Sequence, residues 1–305
     1  MIDLIAETGE NAGSGCAERK AGWCAAFFVL TKPGIVAAAT LAGFTGMVLA
    51  GRGMPGTKEC LICLTALLLA AAAAAMINGV LDAKLDARMA RLHRRVASLE
   101  RIGAQRATVA AAGMLFAALA LSITFLPRLT TALILLAIFS YTPLYTLWFK
   151  RRSPWGVVPG GIPGALPVLV GASAVSGTIS SAPLILFLVM LLWQPPHFWA
   201  LALKHQDDYR RAGVPTLPLV RGEAYTKVCI FVFAALLLPA SLALWFTGAC
   251  SARFAIEALC LGFFNLFSCY LYLVKNRRFQ RAFQASIFYL LGLLSAVIID
   301  ICSRP

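Results

Sequence analysis

Asn78, Asp82 and Asp86 stand four residues apart in the run NGVLDAKLDARMAR, residues 78–91. On a helix their side chains share one face. Two carboxylates at i and i+4 repel, weakening an isolated helix by about 0.2–0.5 kcal/mol. Beside lipid the penalty grows unless a positive charge lies between them. A divalent cation with oxygen ligands offsets it, and magnesium commonly bridges one or two carboxylates to the phosphates of a substrate. The same spacing suits a solvated helix end on which Asp82 and Asp86 pair with Lys84, Arg88 or Arg91, and spacing alone leaves both readings open.

A second polar cluster follows 107 residues later: Trp193-Gln194-Pro195-Pro196-His197-Phe198-Trp199, then Lys204, Asp207, Asp208 and Tyr209. The 305-residue chain holds only 13 acidic residues, and four of them lie in these two clusters. Paired carboxylate clusters ringed by Arg and Lys suit a lipid diphosphate, its head on bound Mg2+ and its tail between helices. Ionising an allylic diphosphate builds negative charge on the leaving group, which magnesium and preplaced cations stabilise where water is scarce. The candidate cations are Lys150, Arg151 and Arg152, with Arg91 and Arg95 beside the first cluster. Lys150–Arg152 also read as a plain anchor at a membrane surface.

The elements that must position these groups are membrane helices. Hydrophobic residues make up 60% of the chain and charged residues 13%, about half the charge of a soluble domain. Nine apolar runs reach the roughly 20 residues a crossing needs: 24–50, 60–80, 105–126, 129–149, 155–177, 182–203, 225–248, 252–274 and 282–302. Short alternating segments of a membrane β-barrel are absent from the sequence. The expected fold is all-α, a polytopic helical bundle of about nine transmembrane helices around a central cavity. Residues 1–22 form a polar cytoplasmic extension and 23–305 the intramembrane domain. Of 27 basic residues, 22 lie at or before the head of the first run, Lys32 included, or after the even-numbered ones. That asymmetry puts the N-terminus in the cytoplasm and the C-terminus on the opposite side. It also explains the net charge of +14 without nucleic acid, which would need basic residues gathered on a water-facing surface. Both acidic clusters fall on the cytoplasmic side, each after an even-numbered run, as if two four-helix halves faced one another with a ninth helix added. Eight of nine cysteines lie in or beside apolar runs, where a free thiol packs as a small hydrophobe. Cys60 and Cys63 form one CxxC with no second pair to complete a zinc site.

The chain resembles the intramembrane aromatic prenyltransferase superfamily and, within it, the heme O synthases. The likeness runs from Leu30-Thr31-Lys32-Pro33 to about the ninth run. It is carried by residues 78–91, by YTPLYTLWFKRRSPWG (141–156), by GGIPGALPVLVGASAVSG (160–177) and by WQPPHFWALALKHQDDYRRAGVPTLP (193–218). The N-x3-D-x3-D motif implies only a polyprenyl diphosphate, whereas residues 193–218 point to heme as acceptor. The resemblance implies that farnesyl diphosphate alkylates a vinyl group of heme B, with water added, giving heme O and diphosphate for a terminal oxidase. The product would pass to a downstream heme-modifying enzyme or oxidase assembly. It also implies that Asn78, Asp82 and Asp86 hold the magnesium diphosphate, helped by Asp207 or Asp208. Arg91, Arg95, Lys150 and Arg151 would meet the phosphates, and heme, a substrate here, would lie near His197 and Tyr209, with Lys204 in the substrate-binding set. Asp82, Asp86 and Asp208 are the catalytic candidates. Four positions depart from the family pattern: Leu92 stands for a threonine, Lys84 for an aspartate, Gly34 for a basic residue and Gly156 for an asparagine. They bear on individual phosphate contacts around residues 92–96.

His197 has two readings, a helix-end side chain bonded to a carbonyl or an axial ligand to iron. His93 and His205, among basic residues, read as solvated. Trp193, Phe198, Trp199 and Tyr209 offer π faces to a farnesyl cation or simple interfacial packing. Two alternatives frame the reading. A prenyltransferase for a quinone precursor shares the first motif but not residues 193–218. A transporter would place ionisable groups near the bilayer midplane, where these runs carry almost none, and a purely structural oxidase subunit has no use for two acidic clusters.

Overall fold

The computed structural model describes residues 22–304, and among them it is helical with no strand. The polar extension lies outside the described residues except for its last position. Nine helices among the described residues are long and apolar enough to cross a membrane.

The first apolar run divides in two, α1 (Trp23–Leu30) and α2 (Pro33–Gly51). Pro33 has no N–H and crowds the residue before it, and Lys32 takes a left-handed conformation at φ 51°. α3 (Thr57–Leu81) carries Asn78 and ends at Asp82. On the same side of the molecule the chain then forms α4 (Ala83–Asp86), a 3₁₀ turn at Ala90–Leu92 and the amphipathic α5 (His93–Ile102). α6 (Ala104–Phe125) returns across the membrane. α7 (Arg128–Phe139) runs on as a π-helix through Ser140–Phe149, ending in a last turn at Lys150–Arg152. The π segment contains Pro143, whose missing donor a widened i→i+5 turn accommodates. α8 (Ile162–Ser176), α9 (Ser181–Lys204) and the short α10 (Gln206–Ala212) follow. α11 (Leu217–Phe246) is two helices joined at a kink at Gly222, φ 84°; the part after the kink matches the expected run, and the short part before it precedes that run. α12 (Ala252–Cys269, with a π turn to Lys275) and α13 (Phe279–Cys302) complete the chain.

α2 packs along α8, α3 along α6, α7 along α8, and α9 along α11 and α13; α13 meets α2 and closes the ring. Without a hydrophobic drive between helices in lipid, close contact of small residues takes over. A Cβ on Gly46 would lie 2.0 Å from the Val168 carbonyl oxygen, and one on Gly171 would lie 1.9 Å from that of Gly43. Two cores result. Met47, Cys63, Leu133 and Val170 fill one half, and Leu186, Leu237, Phe254 and Tyr289 the other. Cys63 is a free, buried thiol in the first of these, as expected of a packing residue. Phe116, Ile123, Phe263 and Phe267 lie on the outside, where lipid would meet them.

Candidate active site

The helical register survives the break at Asp82, because the Asp82 N–H donates to the Asn78 carbonyl at 2.9 Å and the Asp86 N–H to that of Asp82 at 2.8 Å. The three side chains therefore share the face that their spacing requires. Asp82 is 0% exposed. Its Oδ2 accepts from Asn78 Nδ2 at 2.8 Å and from Lys150 Nζ, and its Oδ1 accepts from Arg151 Nη2 at 3.2 Å. Asn78 Nδ2 also donates to Thr146 Oγ1 at 3.1 Å. Thr146 in turn donates to the Tyr141 carbonyl five residues back. The π-helix thus turns the end of α7 so that Thr146, Lys150 and Arg151 all face the end of α3.

Asp86 is buried, with Arg95 from α5 on its Oδ2. Its Oδ1 is buried and has no hydrogen-bond partner, and the Nε–H groups of Arg91 and Arg95 are buried donors without an acceptor. Asp86 Oδ1 and Arg95 Nε, an unused acceptor and an unused donor on one ion pair, match a ligand carrying a cation and an anion together, while Arg91 Nε lies 3.8 Å from Asp208 Oδ2. A cleft of about 240 Å³ opens there, lined by Gly79, Lys84, Asp86, Arg95 and Leu99.

The two acidic clusters meet. Asp208 Oδ1 accepts from the Ala90 N–H at 3.1 Å and Oδ2 from the Arg91 N–H at 3.4 Å, and Arg211 also bonds Oδ1. Burial by itself raises the Asp208 carboxyl; the two backbone N–H groups and the Arg211 guanidinium outweigh it and hold the group below the usual carboxylate range. Arg91 donates to the Tyr209 hydroxyl at 2.9 Å and lies 5.2 Å from its ring centroid. Burial pushes the Tyr209 hydroxyl up, keeping it neutral. Asp207 belongs elsewhere: it is 79% exposed and pairs with Arg210 at 2.5 Å. Of the two adjacent acids, only Asp208 joins the cluster, and its oxygens face N–H donors, an arrangement suited to tying α10 to the 88–91 turn more than to holding metal. Lys204 is exposed at the end of α9.

His205 is half-buried with Nδ1 4.0 Å from Asp208, not solvated as expected; His93 is exposed and its Nδ1 lies 3.1 Å from the Ala90 carbonyl oxygen. His197 sits between α9 and α13, stacked on Trp193 and Phe283 with both centroid distances 4.3 Å. Phe198 lies tilted on Tyr209 at 6.0 Å. Trp199 is a core residue, wedged edge-on between Trp155 and Phe233 at 5.5 and 5.4 Å. Arg152 lies 4.0 Å over Trp148 and away from the acids.

Lys32 is the functional group the sequence reading passed over. It is buried and donates to Asn78 Oδ1. A lysine at the head of an apolar run looks like any interfacial anchor. Its neighbour Pro33, which forces the break that turns it inward, was the available signal.

The model for the UbiA prenyltransferase family matches residues 36–292. The chain is 37% identical over 275 residues to the protoheme IX farnesyltransferase of Aquifex aeolicus, covering 90% of this chain and 94% of that one. To the protoheme IX farnesyltransferase of Marinobacter nauticus it is 35% identical over 276 residues, covering 90% and 91%. A UbiA homolog from Archaeoglobus fulgidus, solved bound to DMAPP and Mg2+, superposes with a TM-score of 0.63 at 14% identity, over 89% of this chain and 98% of that one. With a family model spanning most of its length, and relatives above the identity at which fold and family travel together, the chain belongs to the UbiA prenyltransferase family.

Proposed function

We propose that the protein transfers the farnesyl group of farnesyl diphosphate to a vinyl group of heme B, with water, giving heme O and diphosphate. The observation that carries the donor half is the pair of unused buried groups at one cleft, Asp86 Oδ1 and Arg95 Nε. The acceptor half is supported by the likeness to protoheme IX farnesyltransferases over nine-tenths of the chain.

Asn78, Asp82 and Asp86 would hold Mg2+, and their donor set of carboxylate and amide oxygens fits a hard cation. Bound there, magnesium supplies a Lewis acid for the charge that grows on the leaving diphosphate. Arg91, braced by Tyr209, and Arg95 offer Nε–H donors to phosphate oxygens, with Lys150 and Arg151 beside Asp82 adding positive charge. Cleavage of the allylic C–O bond leaves a farnesyl cation, which bonds to the terminal vinyl carbon. Water adds to the neighbouring carbon and loses one proton, so atoms and charge balance. Burial of Asp82, Asp86 and Tyr209 keeps other water from the cation, and fixed charges act more strongly in such a site than in solution. Asp208 positions the Arg91 turn, and His197 and Lys204 belong to the acceptor side.

The 22-to-5 division of basic residues supports a cytoplasmic N-terminus, a C-terminus on the far side and an active site at the cytoplasmic face of a bacterial inner membrane. A product of this chemistry would be consumed by a further heme-modifying reaction or by oxidase assembly.

The test is heme extraction and chromatography from a host lacking its own heme O synthase, expressing wild type and Asp82→Ala at matched membrane levels. Heme O from wild type and none from the variant supports the reading. Heme O persisting in the variant overturns the role of Asp82. Wild type that prenylates 4-hydroxybenzoate and leaves heme B unchanged overturns the acceptor in favour of a quinone precursor.

A further inference from the structure

His197 is clamped by side chains from two helices, more tightly than a packing role requires. Trp193 and Phe283 stack on its two sides, at 21° and 26° to its plane, so the ring cannot tilt. Its Nδ1 lies 2.7 Å from Ser286 Oγ, and the same Oγ lies 2.7 Å from the Phe283 carbonyl oxygen. The Trp193 indole N–H donates to the Ser286 carbonyl at 2.7 Å, which locks the serine's own turn of α13 against α9.

The hydrogens in this chain can be placed without seeing them. A carbonyl oxygen only accepts, and a serine hydroxyl has one hydrogen. For both contacts of Ser286 Oγ to be hydrogen bonds, the hydroxyl donates to the Phe283 carbonyl and accepts from His197. Nδ1 therefore carries the imidazole hydrogen. A neutral imidazole has only one, so Nε2 presents a bare lone pair in the plane of a clamped ring, and no residue among those described hydrogen-bonds to it. An imidazole with one nitrogen donating to a protein oxygen and the other left open is the arrangement of a metal-ligating histidine.

We propose that Ser286 is a positioning residue that fixes His197 as the axial ligand of the heme iron, so that the porphyrin is anchored through its metal while a vinyl group reacts. The proposal rests on heme B being the acceptor. Trp193 and Phe283 commit a face each to the imidazole, and Nε2 stays open to a ligand in the ring plane.

The test is titration of the purified full-length protein in detergent with heme B, followed by absorption and, for ferric heme, paramagnetic resonance. Wild type should show a histidine-ligated spectrum. His197→Ala should lose that spectrum and regain it with added imidazole. Ser286→Ala should keep the ligand but bind heme about 10- to 100-fold more weakly, and Ser286→Thr, which restores the hydroxyl, should recover most of that loss. Thermal melting of each variant and its heme O output in cells separate misfolding from lost ligation. A wild-type spectrum in His197→Ala overturns the ligand assignment, as does wild-type affinity in Ser286→Ala. Wild type that makes heme O while His197→Ala keeps its heme spectrum rejects this inference alone. Wild type that neither perturbs the heme spectrum nor makes heme O, yet prenylates 4-hydroxybenzoate, rejects the acceptor on which it rests.

Discussion

Two adjacent aspartates should respond very differently to the same isosteric change. Asp208 accepts a backbone N–H from Ala90 at 3.1 Å and one from Arg91 at 3.4 Å, together with the Arg211 guanidinium, and is almost wholly buried. A hydrogen bond to a charged group is worth about 1.5–3 kcal/mol net. Counting the first bond in full and the longer one as partial gives about 3 kcal/mol for holding the 88–91 turn. Asp208→Asn removes the charge and turns an amide N–H2 toward N–H donors, so most of that is lost. If Arg91 and Arg95 must be docked for transfer, kcat/KM should fall about 100-fold. Asp207 forms an exposed i,i+3 pair with Arg210, worth about 0.3–0.5 kcal/mol, so Asp207→Asn should change the rate by no more than about twofold. The assay is heme O formed per unit of protein in membranes at subsaturating farnesyl diphosphate, with hydrogen exchange over residues 83–102 as a reading of docking. Asp208→Asn within threefold of wild type, with exchange unchanged, refutes the reasoning. Equal losses in the two variants would also refute it, since they would mean that the local field and not the turn is what matters.

Three further outcomes follow from particular contacts. Asp86→Asn should raise the Mg2+ concentration needed for half-maximal activity by at least about tenfold, because it halves the anionic charge beside Asn78 and leaves Asp82 committed to Lys150 and Arg151; magnesium titration after chelation checks this, and an unchanged requirement removes Asp86 from the metal set. Lys32→Met should abolish most activity while leaving the melting temperature equal or higher, since a buried cation with one neutral acceptor costs more in desolvation than it recovers; a variant that loses both together assigns Lys32 to structure. Gly46→Ala should destabilise the bundle by about 1–3 kcal/mol or prevent its accumulation, because the new methyl meets the Val168 backbone at 2.0 Å; a melting curve matching wild type would show that α2 and α8 can move apart freely.

The nine crossings among the described residues follow from composition, because lipid accepts only long apolar helices with their backbone satisfied internally, but the division of the first run at Pro33 and the early start at Leu217 do not. The shared face of Asn78, Asp82 and Asp86 follows from the helical repeat alone, and the structure keeps it across the break at Asp82. Neither rule reaches across the bundle. Nothing local distinguishes Asp207 from Asp208: one faces water and the other the 88–91 turn only because α10 lands beside that turn, Asp208 lying 117 positions beyond Arg91. The same holds for Lys32, an ordinary anchor by sequence and a buried partner of Asn78 once Pro33 turns the chain. Thr146, Lys150 and Arg151 reach the acids because a π-helical stretch rotates the end of α7, and a period of 3.6 does not anticipate that rotation. His197 acquired its direction from Ser286 and Phe283, 89 and 86 residues away. Residue type and spacing determined which chemistry the chain can do. Packing of distant helices decided which copies of those residues are dry, charged and aimed at one another, since burial and pairing are properties of the assembled bundle and not of any one segment.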